Sequence, residues 1–338
     1  MTAVVEQTGG PGAAASEPEA EQADYRALVR AWFAEHSTPR TGASFAGEGV
    51  DVERSRAWQR QLFEAGLAGV AWPRHYGGGG GAGWQEVVVR QEAARFADSA
   101  DDVFGTAIGL VGPAILAHGD EGQRDRHLPP ILAGQQVWCQ LFSEPDAGSD
   151  LAALATRAVP DGDGWVVDGQ KVWSSGAHLS DYGLLLARTG RPDDGPRGIS
   201  CFILPMHEPG VDVRQLRQLT GAAHFCQVYL DQVRLAPDAL LGTVGGGWTV
   251  TRTVLDAERT LIAAGGGIDL PVLQLAELAA AGRFDLTGSR RDQLVQAFIR
   301  ARLIDWLSAR LLERSRAAER APGGPGAGAS ARSPEAAA

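Results

Sequence analysis

Apolar positions divide the chain into three stretches of different period. From Tyr25 to about Val137 they recur three and four residues apart: Leu28, Val29, Trp32 and Phe33, then Trp58, Leu62 and Phe63. That spacing puts them on one face of each helix. Residues 84–97, with Val87, Val88 and Phe96 beside Arg90 and Gln91, predict another amphipathic helix. Pro73, the glycines after Tyr76 and the pair Pro129-Pro130 punctuate the stretch. From about Trp138 to Leu241 the period drops to two. WVVDGQKVW (165–173) reads as a strand, an Asp-Gly turn and a strand. YGLLLART, GISCFILP and CQVYLDQVRL read as further strands, giving about seven or eight in an antiparallel sheet or barrel. From Gly247 to about Arg316 the helical period returns. One or two apolar helices, interrupted by three glycines and Pro271, precede a long amphipathic one over 292–316, with Leu294, Phe298, Leu303 and Leu307 near one face. Helices, then strands, then helices predict an α+β fold with segregated layers. The expected divisions are 23–137, 138–245 and 246–316, between Ala-, Gly- and Pro-rich tails at 1–22 and 317–338.

Composition narrows the function. With 338 residues, 44% of them hydrophobic, the chain can bury a sizeable core. A net charge of −10 without a basic run speaks against a nucleic-acid partner. No basic segment followed by an apolar one opens the sequence, and the most apolar run, Ile108 to Ala117, is about half a membrane span. No membrane role and a cytoplasmic setting are therefore expected. Cys139, Cys201 and Cys226 are widely spaced, which fits a reducing compartment and no disulfide framework. The seven histidines show no H-x-x-x-H, so no metal site is expected. Neither a dinucleotide fingerprint nor a G-x-S-x-G elbow is present. The run Gly77–Gly81 has no Lys-Ser/Thr after it and reads as a flexible loop between helices. Lys171 is the only lysine.

One segment stands out. WCQLFSEPDAGSDLAALATRAV (138–159) joins small hydroxyl residues, Ser143 and Ser149, to a tight Pro-Asp-Ala-Gly-Ser turn and several carboxylates. Such a loop can offer hydroxyls and backbone N–H groups to a polar ligand. Glu144 and Asp150 read more simply as capping or ion-pairing residues than as an acid/base pair. Trp173 reads as either a core strand aromatic or a ligand-facing one.

FSEPDAGSDL resembles the (T/S)-E-P-x-A-G-S-D signature of the acyl-CoA dehydrogenase family, and VDGQKVWSSGAHLSDYGLLLART resembles the family's next signature, G-x-K-x-W-(I/T)-(T/S). GISCFILP, GVDVRQLRQLTGAAHFCQVYLDQVRL and LLGTVGGGWTVTRTVLDAERTLIAAG follow in the family's order, and AGLAGVAWPRHYGG and ILAHGDEGQRDRHLPPILAG match upstream. The likeness covers about residues 24–316 and is to bacterial members in particular. It implies an N-terminal helical domain, a central β-domain and a C-terminal helical domain, with FAD held between the last two. It implies that Phe142 and Ser143 contact the flavin, with Gln140 nearby, and that Trp173 covers the ring face. Ser175 would bond near its reactive nitrogen, with Ser174 between them. Ser149 would lie near the diphosphate or pantetheine of a coenzyme A ester. Arg283 resembles an arginine that reaches the FAD pyrophosphate of a neighbouring subunit, and Gln293 a residue near the same dinucleotide, with its spacing one residue short. The family places its catalytic glutamate in one of two positions, and the D-x-E-R one is filled here by Asp256, Ala257, Glu258 and Arg259. Glu258 is thus the candidate base, with Asp256 and Arg259 lining the acyl channel.

The implied reaction is oxidation of an acyl-CoA to the trans-2-enoyl-CoA, with electrons passed to an electron-transfer flavoprotein. A partner-dependent subunit, or an oxidase or monooxygenase on the same fold, is the alternative. Family members assemble as homodimers, tetramers or heteromers. They usually carry a further helical pair after the segment ending near Arg316, where this sequence runs into PGGPGAGASARSPEAAA. An incomplete C-terminal helical domain is the expectation.

Overall fold

The structure, a computed structural model, describes residues 17–39, 51–96, 103–264, 269–283, 285 and 287–320. The helical layer contains α1 (Glu17–His36), α2 (Val52–Glu64), α3 (Gly83–Ala93), α4 (Gly112–His118) and α5 (Glu121–Leu132). α1 begins inside the segment read as tail, so the expected boundary at residue 22 falls within a helix. The period-four stripe does what the pattern predicts: Val29, Phe33, Val88, Val89 and Phe96 form one buried cluster. α1 and α3 are also joined by charge. The fully buried Glu92 carboxylate accepts from Arg26 and Arg30, at 2.8 Å each.

The glycine run is a packed loop rather than a flexible one. Gly79, Gly80 and Gly81 donate to the carbonyls of Gly69, Trp72 and Val70. A Cβ at Gly78 would collide with Trp72, and one at Gly79 with the Val70 carbonyl. Only residues without side chains allow two backbone segments to lie this close.

The central layer is a sheet of eight strands among the described residues: β1 (Trp138–Leu141), β2 (Arg157–Asp161), β3 (Gly164–Ser175), β4 (Tyr182–Arg188), β5 (Ile199–Pro205), β6 (Val211–Leu216), β7 (Phe225–Leu235) and β8 (Leu240–Leu241). Its order is β6-β7-β3-β2-β4-β5-β8, with β1 also on β4. The pairing is mixed rather than purely antiparallel, because β1 and β2 both run parallel to β4. The expected turn at Asp168-Gly169 does not form. β3 runs through it, with a register shift between Val167 and Gly169. A Cβ at Gly169 would collide with Thr156, and the Asp168 carboxylate bonds across to the Gln232 N–H at 2.9 Å. The hairpin turn falls earlier, between Asp161 and Gly164, with Gly162 at φ 63°.

Two contacts seat the helices on the sheet. Asp120 caps α5, its Oδ1 accepting from the Gln123 N–H at 2.7 Å, and the Gln123 side chain donates to the carbonyls of Asp238 and Leu240. Asp181 accepts from Arg56 at 3.0 Å and from the Val137 N–H at 2.7 Å.

After the sheet come α6 (Gly247–Ala264), α7 (Asp269–Ala280) and α8 (Ser289–Arg320). The start of α6 is fixed by the buried Ser200 hydroxyl. It bonds Thr189 Oγ1 at 2.7 Å and accepts from the Gly245 N–H at 2.8 Å. Val250 and Val254 of α6 enter one core cluster with Phe142, Ala147 and Leu154 of the loop after β1. The loop and the helix that carry most of the candidate residues therefore share a core.

Candidate functional site

The site is built around the loop after β1 and the end of β3. Glu144 lies in that loop, and its carboxylate accepts from Lys171 Nζ at 2.7 Å, from the Ala155 N–H at 2.6 Å and from the Thr156 N–H at 3.0 Å. Lys171 is fully buried and also donates to the Phe142 carbonyl at 3.1 Å. The single lysine is thus the cation that holds the loop to the sheet, and Glu144 is the ion-pairing residue the simpler reading made it. Burial opposes the charge on each partner. It pushes the Lys171 ammonium below its ordinary pKa, against the pull of Glu144. For Glu144 burial is outweighed by Lys171 and the two N–H groups, so its carboxyl is held below the usual glutamate range. Ser143 accepts from the Val172 N–H at 2.9 Å, which sets it beside Trp173.

Trp173 has φ 60°, the left-handed region that bulky residues avoid. It sits in a register shift between Lys171 and Ser174. Its side chain is 60% exposed, touching Phe225 edge-on at a centroid distance of 5.7 Å. Such a conformation costs about 1–3 kcal/mol and persists where the surroundings over-determine it. Here they do: Lys171 is buried on one side and β7 pairs on the other. Ser175 is exposed beside Trp173, Ser143 and Gln140 are half-buried, and Phe142 is buried beneath.

Ser174 departs from expectation. It is 1% exposed and its Oγ has no hydrogen-bond partner among the described residues, so it does not share the open face of Trp173 and Ser175. Ser149 lies exposed in the turn, next to Gly148. On α6, Asp256 and Arg259 are exposed and pair with each other. Glu258 is half-buried, four residues after the fully buried Val254 and next to Ala257, which packs on the core. It therefore lies along the inward stripe of the helix. Arg283, past α7, and Gln293, on α8, are exposed. α7 and α8 pack on each other, and α8 on α6.

Sequence reasoning missed Arg188. The guanidinium, 7% exposed, donates to the carbonyls of Ala152 (2.6 Å), Leu154 (3.1 Å), Gly195 (3.1 Å) and Arg191 (3.4 Å). It ties the far end of the Glu144 loop to the turn before β5. The one available signal was a cation ending the apolar run YGLLLAR. No group of three or more His, Cys, Asp or Glu able to hold a metal occurs among the described residues. No described helix is long and apolar enough to cross a membrane.

A helical layer, a bulged mixed sheet and a second helical layer, with an exposed aromatic and hydroxyl segment at the end of β3, are matched by known proteins. Residues 19–135 match the family description "Acyl-CoA dehydrogenase, N-terminal domain", and residues 139–233 "Acyl-CoA dehydrogenase, middle domain". The chain belongs to the acyl-CoA dehydrogenase family. It is 41% identical over 241 residues to acyl-CoA dehydrogenase IpdE1 of Mycobacterium tuberculosis, covering 70% of this chain and 62% of that protein. It is 38% identical over 296 residues to acyl-CoA dehydrogenase FadE34 of the same organism, covering 87% of this chain and 40% of that protein. Among solved structures it resembles the Tcur3481-Tcur3483 steroid ACAD, with TM-score 0.73 and 30% identity over 87% of this chain and 77% of that one. The chain spans less than two thirds of the length of the curated relatives it matches.

Proposed function

We propose that this chain is an FAD-dependent acyl-CoA dehydrogenase that converts an acyl-CoA thioester to the trans-2-enoyl-CoA and passes electrons to an electron-transfer flavoprotein. The observation that carries the reading is Trp173: a large aromatic held in a strained conformation and exposed, two residues before the exposed Ser175 and next to Val172, whose N–H bonds the Ser143 carbonyl. A flat exposed aromatic surface with hydroxyl residues close by in the chain and the sheet fits an isoalloxazine ring. When bound, FAD supplies the hydride acceptor.

Phe142, Ser143, Trp173 and Ser175 would hold the flavin, with Gln140 nearby, and Arg283 and Gln293 would serve the rest of the dinucleotide. Ser149, Asp256 and Arg259 would bind the ester. The Glu258 carboxylate would take the α-proton. Its half-buried place on the inward stripe of α6 suits a base shielded from bulk water. The three cysteines, all buried and free, fit a cytoplasmic setting.

A second observation bears on assembly. On α8, Phe298, Ile299, Leu303, Trp306 and Leu307 are 38–62% exposed. An apolar surface of this kind needs cover, and a second copy or a homologous subunit would supply it. The similar solved structure whose description names two components supports the heteromeric form.

The test is a visible spectrum of the purified chain with FAD, then anaerobic addition of saturated acyl-CoA esters, ring-bearing ones included. A yellow protein that bleaches with one ester supports the reading. Hydrogen peroxide formation in air without an electron-transfer partner would replace it with an oxidase. A chain that takes up FAD only with a co-expressed homologue would make it a partner-dependent subunit.

A further inference from the structure

Lys171 and Glu144 do more than fasten a loop. The Lys171 ammonium donates to the carbonyl of Phe142, the first half of the peptide linking Phe142 to Ser143. No cis peptide occurs among the described residues, so this one is trans and its N–H points opposite to its carbonyl. The Ser143 N–H is therefore turned away from the buried cation, at the loop edge that the Ser143 carbonyl ties to Val172 and so to Trp173. That N–H has no hydrogen-bond acceptor among the described residues, although the Ser143 carbonyl is used. A cation on the carbonyl of an amide polarises the amide and makes its N–H a stronger donor, and hydrogen bonds in series reinforce one another. Inside a protein the effect is screened far less than in water.

We propose that Lys171 is a positioning and tuning residue: its charge, relayed through the Phe142–Ser143 peptide, strengthens the Ser143 amide as a donor to the flavin and makes the flavin easier to reduce, while Glu144 moderates the effect. The proposal rests on the flavin reading above. Reduction adds negative charge to the ring system, so a stronger donor favours the reduced state. Glu144 sits 2.7 Å from the same ammonium and offsets part of its field. The two residues therefore act with opposite signs on the flavin, although they act together in holding the loop. A purely structural pair would not show that opposition.

The experiment is the reduction potential of bound flavin in the wild type, Lys171→Met and Glu144→Gln, read by dye equilibration. Lys171→Met is expected to lower the potential and Glu144→Gln to raise it. The expected size is about a tenfold change in the ratio of reduced to oxidised flavin at fixed potential, or about 30 mV for a two-electron couple. Shifts in the same direction, or none, overturn the relay while leaving the flavin assignment intact. A wild-type chain that binds no FAD overturns that assignment and the relay with it. Should Lys171→Met fail to fold, Glu144→Gln decides alone: a raised potential supports the relay, and a lowered or unchanged one overturns it.

Discussion

Lys171 and Trp173 stand two residues apart on one strand, yet the first is fully buried and the second is 60% exposed. In a regular strand residues two apart share a face. The register shift between Lys171 and Ser174, with Trp173 at φ 60°, breaks that rule. It lets one short segment put its cation into the core and its aromatic ring into the open.

Trp173→Gly separates these two functions. Glycine adopts the left-handed conformation without penalty, which recovers about 1–2 kcal/mol. The extra freedom of the unfolded chain and the lost Phe225 contact take back a similar amount. The apo-protein's stability is expected to change by less than about 1 kcal/mol, against about 3–5 kcal/mol for truncating a core tryptophan such as Trp138. FAD affinity is expected to fall at least tenfold. Urea unfolding and flavin titration check the two halves, and a large loss of stability with unchanged affinity would return Trp173 to the role of a plain core aromatic.

Lys171→Met leaves the Glu144 carboxylate buried without its cation. Stability is expected to fall by about 3–5 kcal/mol. The double variant Lys171→Met/Glu144→Gln should recover part of that loss, because no lone charge remains. Denaturant midpoints for the single and double variants give the coupling directly.

Acid should weaken the fold in two stages. Burial pushes His127 below the ordinary histidine value of 6.5, with the Gln136 hydrogen bond only partly opposing, and also lowers His118 and His178. Below that value the unfolded chain takes up protons that the folded one resists, so stability falls as pH drops from about 6.5. Glu144 and Glu92 are held below the ordinary 4.5 despite burial, by Lys171 and by Arg30 and Arg26 respectively. Their contribution is complete above that value and is lost as pH falls through their folded pKa values. Melting temperatures from pH 8 to 3 should show both declines. Glu144→Gln should reduce the second and leave the first.

Much of this was legible in the residues, for identifiable reasons. Helical and strand periods are local, so the three stretches and most strands could be read directly. Glu144 could be read as an ion-pairing residue and Lys171 as the only lysine, but their pairing joins residues far apart in sequence and was not legible. The rest depended on contacts distant in sequence. Asp168-Gly169 has turn chemistry, but Gly169 serves the close approach of Thr156 instead. The glycine run looks flexible until Trp72 and Val70 are seen against it. Nothing local announces a left-handed tryptophan or an inward Ser174, and a cation ending the run YGLLLAR does not tell that Arg188 bonds four carbonyls.

Arg188→Met removes those four bonds and strands buried carbonyls, which should cost about 3 kcal/mol. Because Arg188 holds Ala152 and Leu154, just beyond Ser149, KM for the acyl-CoA ester should rise several-fold more than kcat falls. Steady-state kinetics on the flavin-loaded protein distinguishes this from simple destabilisation, which would lower the active fraction and leave KM unchanged.

The most direct measurement is anaerobic rapid mixing of the FAD-loaded wild type and Glu258→Gln with the acyl-CoA ester that bleaches the wild type. If Glu258 is the base, the variant keeps its yellow flavin at wild-type affinity, and its bleaching slows by about 10²–10⁴-fold. Bleaching at the wild-type rate would remove Glu258 from the chemistry and contradict the mechanism proposed for this site.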